Sequence, residues 1–234
     1  MARRSTGRWA ARVAYDSPVP QTMLAVWYVF AVSALTLLVA VPYIAFELLV
    51  GWQRAPLALL LGALACTVAG PALRGLLGAT AELVDRRYYP GAPLRRFVRS
   101  IAGASRGLRM LWVGLPAVAL LLALDAALYG TTPGVLPAVA VLGVLVLLTL
   151  LGATVLDLSQ EVQEAGSALR LLTAAVRALA RRWYVHLAWL LLAALTVALA
   201  QVPVVGPVLL LLLPGGWAAA VLVVDRAFPA RAPR

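Results

Sequence analysis

The chain has 234 residues, 63% of them hydrophobic and only 12% charged. A soluble domain is nearer half apolar and a quarter charged, so this composition excludes an ordinary soluble protein and points to the bilayer. The net charge of +11 would suit a nucleic-acid binder, but the placement of that charge, set out below, removes nucleic acid from the expected partners.

In chain order, four arginines (Arg3, Arg4, Arg8, Arg12) and the broken stretch Asp16-Ser17-Pro18-Val19-Pro20 come first. The apolar run behind them is too long for a signal-peptide core and has no cleavage motif, so it is expected to stay in the protein. Six apolar stretches follow, at 23–46, 57–77, 110–130, 135–156, 183–202 and 205–224. Each is long enough to cross a hydrocarbon layer, which needs about 20 helical residues. They are rich in Leu, Val and Ala with no strand-like alternation, so helices rather than a barrel satisfy the backbone. The expected fold is all-α: one integral membrane domain over 1–234, with six transmembrane helices and two amphipathic helical links at 78–109 and 157–182.

All 20 basic residues are arginine. Eighteen lie in four places: the N-terminus, the 86–109 link, the 170–182 link and the tail with Arg226, Arg231 and Arg234. A six-span arrangement puts those places on one side, with Arg54 alone in a loop on the other and Arg74 near the end of span two. Basic loops stay inside, so both termini and both links are expected to be cytoplasmic, in a bacterial cytoplasmic membrane. Trp27, Tyr28, Trp112 and Trp183 would mark the inner ends, and Trp52 and Tyr129 the outer ones.

The word Leu76-Leu77-Gly78-Ala79-Thr80 recurs 74 positions later as Leu150 to Thr154. After the first copy come Glu82 and Asp85, the turn at Pro90-Gly91, then Arg95, Arg96, Arg99, Arg106 and Arg109. After the second come Asp157, Glu161 and Glu164, the turn at Gly166-Ser167, then Arg170, Arg177, Arg181 and Arg182. Span, acidic arm, turn, basic arm, span: the layout occurs twice in one orientation and predicts a parallel internal repeat. Leu158, Val162, Ala165, Leu169, Leu172, Val176, Leu179 and Trp183 step by three and four, one apolar stripe along a helix. Leu94, Phe97, Ile101, Ala104, Leu108 and Leu111 do the same in the first link. Two pictures fit these arms. They pack as antiparallel hairpins, acidic arm facing basic arm, or they lie in the membrane interface with apolar faces down.

No catalytic constellation is visible. One His (His186) and one Cys (Cys66) build no metal cluster, and no phosphate loop, dinucleotide fingerprint or nucleophile elbow occurs. His186 suits the interfacial belt beside Trp183, and Cys66 a small apolar filler. No cofactor is expected. Charges within spans are the stronger pointers, since each costs about 2.5–3.5 kcal/mol at a helix centre. Asp125 lies in span three, with Arg54 or a polar group of another helix as its partner; Glu47 and Arg74 stand near span ends and can snorkel. Gly70-Pro71 should kink or divide span two, and Pro214-Gly215-Gly216 span six. Small residues along spans two and six can seat helix contacts within or between chains, so self-association is one expected partnership.

The pattern Thr67-x-x-Gly70-Pro71-Ala72, followed by an amphipathic helix and by the arginine-rich segment from Pro93 to Trp112 with Phe97, resembles the YesL-like family of bacterial membrane proteins. The resemblance covers about 110 residues of the first half. It implies an accessory role near carbohydrate uptake, because such proteins are often encoded beside sugar transporters, and it supplies no catalytic residue. The expected function is therefore a non-enzymatic accessory or scaffold protein of a sugar transporter. The alternative is a small transporter or channel built on the repeat, with a pathway near the repeat interface and with Asp125 and the Gly70-Pro71 break close to it.

Overall fold

The structure, a computed structural model, describes residues 18–86, 90–159, 167–202 and 211–228. Arg3, Arg4, Arg8, Arg12, Arg87, Glu161, Glu164, Arg231 and Arg234, all part of the charge layout above, lie outside the described residues.

The described residues form helices and no strand. α1 is Pro18–Leu49; α2 (Pro56–Ala65) passes through a 3-10 turn, Cys66–Val68, into α3 (Ala69–Arg86). α4 is Pro93–Ala102, α5 Arg106–Tyr129 and α6 Val135–Leu158, followed by α7 (Ala168–Arg181), α8 (Trp183–Ala200) and α9 (Leu213–Ala227). Starts follow local chemistry. Pro56 and Pro93 open α2 and α4, where a missing N–H costs nothing. Ser105 and Ser167 cap α5 and α7, their hydroxyls accepting from the N–H groups of Leu108 and Arg170. Gly134 leads into α6 at a φ of +89°, a conformation that favours glycine.

Five helical stretches are long and apolar enough to cross a membrane: Pro20–Leu49, Pro56–Asp85, Arg106–Tyr129, Val135–Leu158 and Trp183–Ala200. The expected sixth, 205–224, lies partly outside the described residues. Its described part belongs to α9, whose 15 residues span about 22 Å, short of a 30 Å hydrocarbon layer. Pro214 sits in the first turn of α9 and starts that helix rather than kinking it. In the second span the break falls at Cys66–Val68, one turn before Pro71. Proline cannot donate to the carbonyl four residues back, here Thr67, and the helix tightens there.

α6 is the shared wall of two cores. Leu151 and Val155 face a cluster with Tyr28, Val32, Leu77, Phe97, Val185, Trp189 and Val221. Leu150 and Ala153 face another with Leu108, Trp112, Leu115, Leu171 and Ala175. Tyr28 and Trp112 are buried in these cores and so are not belt residues as expected; Trp27 and Trp183 are exposed.

The amphipathic arms fold back on the helices that precede them. α4 runs antiparallel to α3, with Arg96 against Glu82 and Ser100 against Arg74. α7 packs on α6 through Leu171 and Ala175. α6 ends at Leu158 and α7 begins at Ala168 behind the Ser167 cap; Val162, Ala165 and Gly166 of the expected stripe and turn lie outside the described residues. Within α7 that stripe is not the packed face: Leu169, Leu172 and Val176 are exposed.

Candidate functional site

The ion pairs of the described residues gather at the arginine-rich end of the bundle, and the innermost pair organises that end. Arg74 of α3 and Asp157 of α6 form an ion pair at 3.1 Å, with only 8% and 3% of the side chains exposed. Arg74 is the single charge of the apolar run from Pro56 to Ala81, and Asp157 the single charge of α6. Helices α3 and α6 bring them together where neither is left unpaired, which matters because an unpaired buried charge costs several kcal/mol. Arg74 therefore points inward rather than snorkelling as expected.

Two serines complete the arrangement. The Ser100 hydroxyl of α4 donates to the Arg74 carbonyl at 2.7 Å and lies 3.5 Å from the guanidinium. The Ser105 N–H donates to Asp157 Oδ1 at 3.3 Å, so the carboxylate stands at the N-terminus of α5, where the helix dipole favours a negative charge. One ion pair thus ties α3, α4, α5 and α6. Glycine makes the closeness feasible. A Cβ on Gly78 would lie 1.8 Å from Ser100 Oγ and 2.7 Å from Ser100 Cβ, and one on Gly70 would enter the Trp112 ring. Tyr28 of α1 donates to the Ala79 carbonyl at 3.1 Å, which fastens α1 to the same stretch.

Further charges fix the arms at their ends. Arg96 pairs with Glu82 and donates to the carbonyls of Pro90 (2.6 Å) and Gly91 (2.9 Å). Those bonds hold the turn in which Ala92 adopts a φ of +42°, a strained value for a residue with a Cβ. Arg182, the one residue between α7 and α8, pairs with Asp225 at 3.1 Å and donates to the carbonyls of Asp225 and Phe228, capping α9. Burial pushes the Asp225 carboxyl up from its ordinary range, and the Arg182 guanidinium opposes that rise. Arg226 and Asp85 pair at 2.9 Å nearer the surface. His186 is buried against Trp189; its Nδ1 donates to the Arg182 carbonyl at 3.0 Å, and its Nε2 faces Gly152.

The other expected residues fall elsewhere. Asp125 is exposed on α5 and forms no ion pair with Arg54 among the described residues. Thr67 is exposed, its hydroxyl donating to the Leu64 carbonyl at 2.8 Å, while Gly70 lies against the Trp112 ring and Pro71 is half-buried. Glu47 accepts from Tyr43 (2.8 Å) and Trp52 (2.9 Å) at the far end of the bundle. Beside it a groove of about 400 Å³ runs between α2, α5 and α6, with Trp52, Gln53 and Arg54 at one end and alanines of α5 along its wall. No group of three metal-ligating side chains occurs among the described residues. Comparison with known proteins finds no matching family, curated protein or solved structure.

Asp157, Ser100 and Ser105 were absent from the expected site. The signal for Asp157 is present in the sequence: two lone charges of opposite sign at corresponding ends of spans two and four. Nothing comparable marks the serines.

Proposed function

We propose that this chain is a non-enzymatic accessory or scaffold protein of the bacterial cytoplasmic membrane, presenting a rigid arginine-bearing face to a partner in or on that membrane. The observation that carries this reading is the Arg74–Asp157 pair. It joins the roots of four helices and holds the arm α4 as a fixed part of the bundle, while Leu171 and Ala175 seat α7 against α5 and α6. A docking surface benefits from such rigidity, because little conformational entropy is then lost on binding. In this reading 205–224 is a sixth span, both termini are cytoplasmic, and the arginine-rich end is the inner one. α3-α4-α5 and α6-α7-α8 are two copies of one unit. Buried Phe97 and Leu171, 74 positions apart like the repeated word, support that, as do buried Trp112 and Trp189 on the following helices. The resemblance to the YesL-like family adds a sugar transporter as the partner class.

Mild-detergent purification of the tagged protein from its own membranes, with mass spectrometry of what accompanies it, tests this. Stoichiometric transporter subunits are the expected result; recovery of the protein alone would overturn it. The second reading, a small transporter, rests on the groove beside Arg54. It predicts solute flux in proteoliposomes that falls when Ala123→Leu fills the groove, whereas the scaffold reading predicts no flux to lose. Reporters fused after Gln53 and after Gly134 should read outside, and one at Gly91 inside.

A further inference from the structure

We propose that α7 lies in the membrane interface at the arginine-rich end, its apolar flank in the acyl region, and that Arg170, Arg177 and Arg181 bind anionic phospholipid headgroups.

Three faces of α7 follow from its sequence and packing. At 100° per residue, Leu171 and Ala175 share one side, and both are buried against α5 and α6. The next side round carries Leu172, Val176 and Leu169, and all three are exposed, Leu169 by 69%. Beyond them come Thr173 and then Arg177, Arg170 and Arg181, also exposed. No acidic side chain among the described residues pairs with these three arginines. A helix with an apolar flank next to an arginine flank, and no described helix covering either, has the make-up of an interfacial helix.

The position of α7 argues for lipid over water. Only Arg182 separates it from α8, which opens with exposed Trp183 and Tyr184, residues that favour the headgroup level. The bonds from Arg182 to Asp225 and to the end of α9 pin that corner. The other end is seated too, since a Cβ on Gly107 of α5 would lie 3.1 Å from the Ser167 carbonyl oxygen. α7 is thus held alongside the root of α6, and no described residue covers Leu169, Leu172 and Val176, which leaves them to lipid or a further protein. The charge decides between them. Three guanidiniums with no acidic partner among the described residues, beside the apolar flank, fit phosphate groups, each basic residue near an anionic surface adding about 1 kcal/mol. α4 shows the same combination on a smaller scale, with Leu94 and Val98 exposed beside Arg95 and Arg99. This inference rests on the bundle crossing a bilayer, as in the reading above, but not on the identity of any partner.

The test uses the full chain with Cys66→Ala, carrying Leu172→Cys or Val176→Cys. Each is spin-labelled or labelled with a fluorophore in nanodiscs of phosphatidylglycerol and phosphatidylcholine mixed equally. Labels at both positions should relax with oxygen and resist a water-soluble nickel chelate. Brominated phosphatidylglycerol should quench them more than brominated phosphatidylcholine does. Each Arg→Gln change at 170, 177 or 181 should lower that preference by up to about fivefold, while Arg→Lys should keep most of it. Labels open to the nickel chelate would overturn the proposal, since α7 would stand in water. Labels shielded from both relaxers would also overturn it, with a protein partner or second copy as the cover. Equal quenching by the two lipids would overturn the headgroup assignment. Failure of the transporter pull-down together with preferential quenching would sink only the scaffold reading.

Discussion

Gly78 and Gly152 stand at the same place in the same five-residue word, each on a helix with an amphipathic helix folded against it. Their surroundings differ. Around Gly78 there is no room: Ser100 of α4 presses on the backbone and bonds to the Arg74 carbonyl one turn away. Around Gly152 the nearest atoms to an added Cβ are His186 Nε2 at 3.5 Å and Ala175 Cβ at 4.0 Å, ordinary contact distances. The first hairpin is closed by a polar bond at short range, the second by apolar contact between Leu171, Ala175 and α6. Identical local sequence has therefore been fitted to two kinds of seam, and what decides between them is the residue that arrives from the arm, a serine in one and an alanine in the other.

The ion pair joins the two hairpins, and breaking it should have the largest effect. Asp157→Ala leaves Arg74 buried and unpaired and should destabilise the protein by about 3–5 kcal/mol, measured as a fall in unfolding temperature in detergent. The double change Arg74→Met with Asp157→Leu should recover most of that loss; if the double variant is as unstable as the single one, the pair is not what joins the hairpins. Gly78→Ala comes next, at about 1–3 kcal/mol from overpacking. Gly152→Ala should shift the unfolding temperature little, and equal losses at the two glycines would erase the contrast between the seams. Ser100→Gly in the Gly78→Ala background should restore part of the stability by removing the obstructing atoms. Ser100→Ala alone should cost about 0.5–1.5 kcal/mol. The smallest effect is expected at the exposed Arg226–Asp85 pair, where Arg226→Ala should change stability by about 0–1 kcal/mol.

Much of the helical layout is legible in the sequence because hydrophobicity is a property of each residue. The run at 135–156 becomes α6, Val135–Leu158, and the run at 183–202 becomes Trp183–Ala200. Neighbourhood is not such a property. The two lone charges of opposite sign hint at a pair, but that Arg74 meets Asp157 depends on α3 lying beside α6, and neither segment says which helices are neighbours. The same limit explains the aromatic residues: Trp112 carries the composition of a belt residue, yet Gly70 on another helix opens a place for it in the core. In α7 the apolar stripe was legible, but which of two adjoining apolar faces turns to the bundle was not. Leu171 and Ala175 win that place because their side lies nearest Leu150 and Ala153 of α6.

The lone charge of the second span also has a history in the making of the protein. Arg74 is synthesised some eighty residues before Asp157, and at roughly 5–20 residues per second its counter-ion follows on the order of 4–16 s later. In the proposed bilayer-spanning bundle, the half-made chain during that interval holds Arg74 near the membrane edge without Asp157. A long guanidinium side chain near a helix end tolerates the wait, because it can reach lipid phosphates until α6 enters. The same charge at mid-depth could not, so the order of translation itself favours a latch at the rim of the bundle.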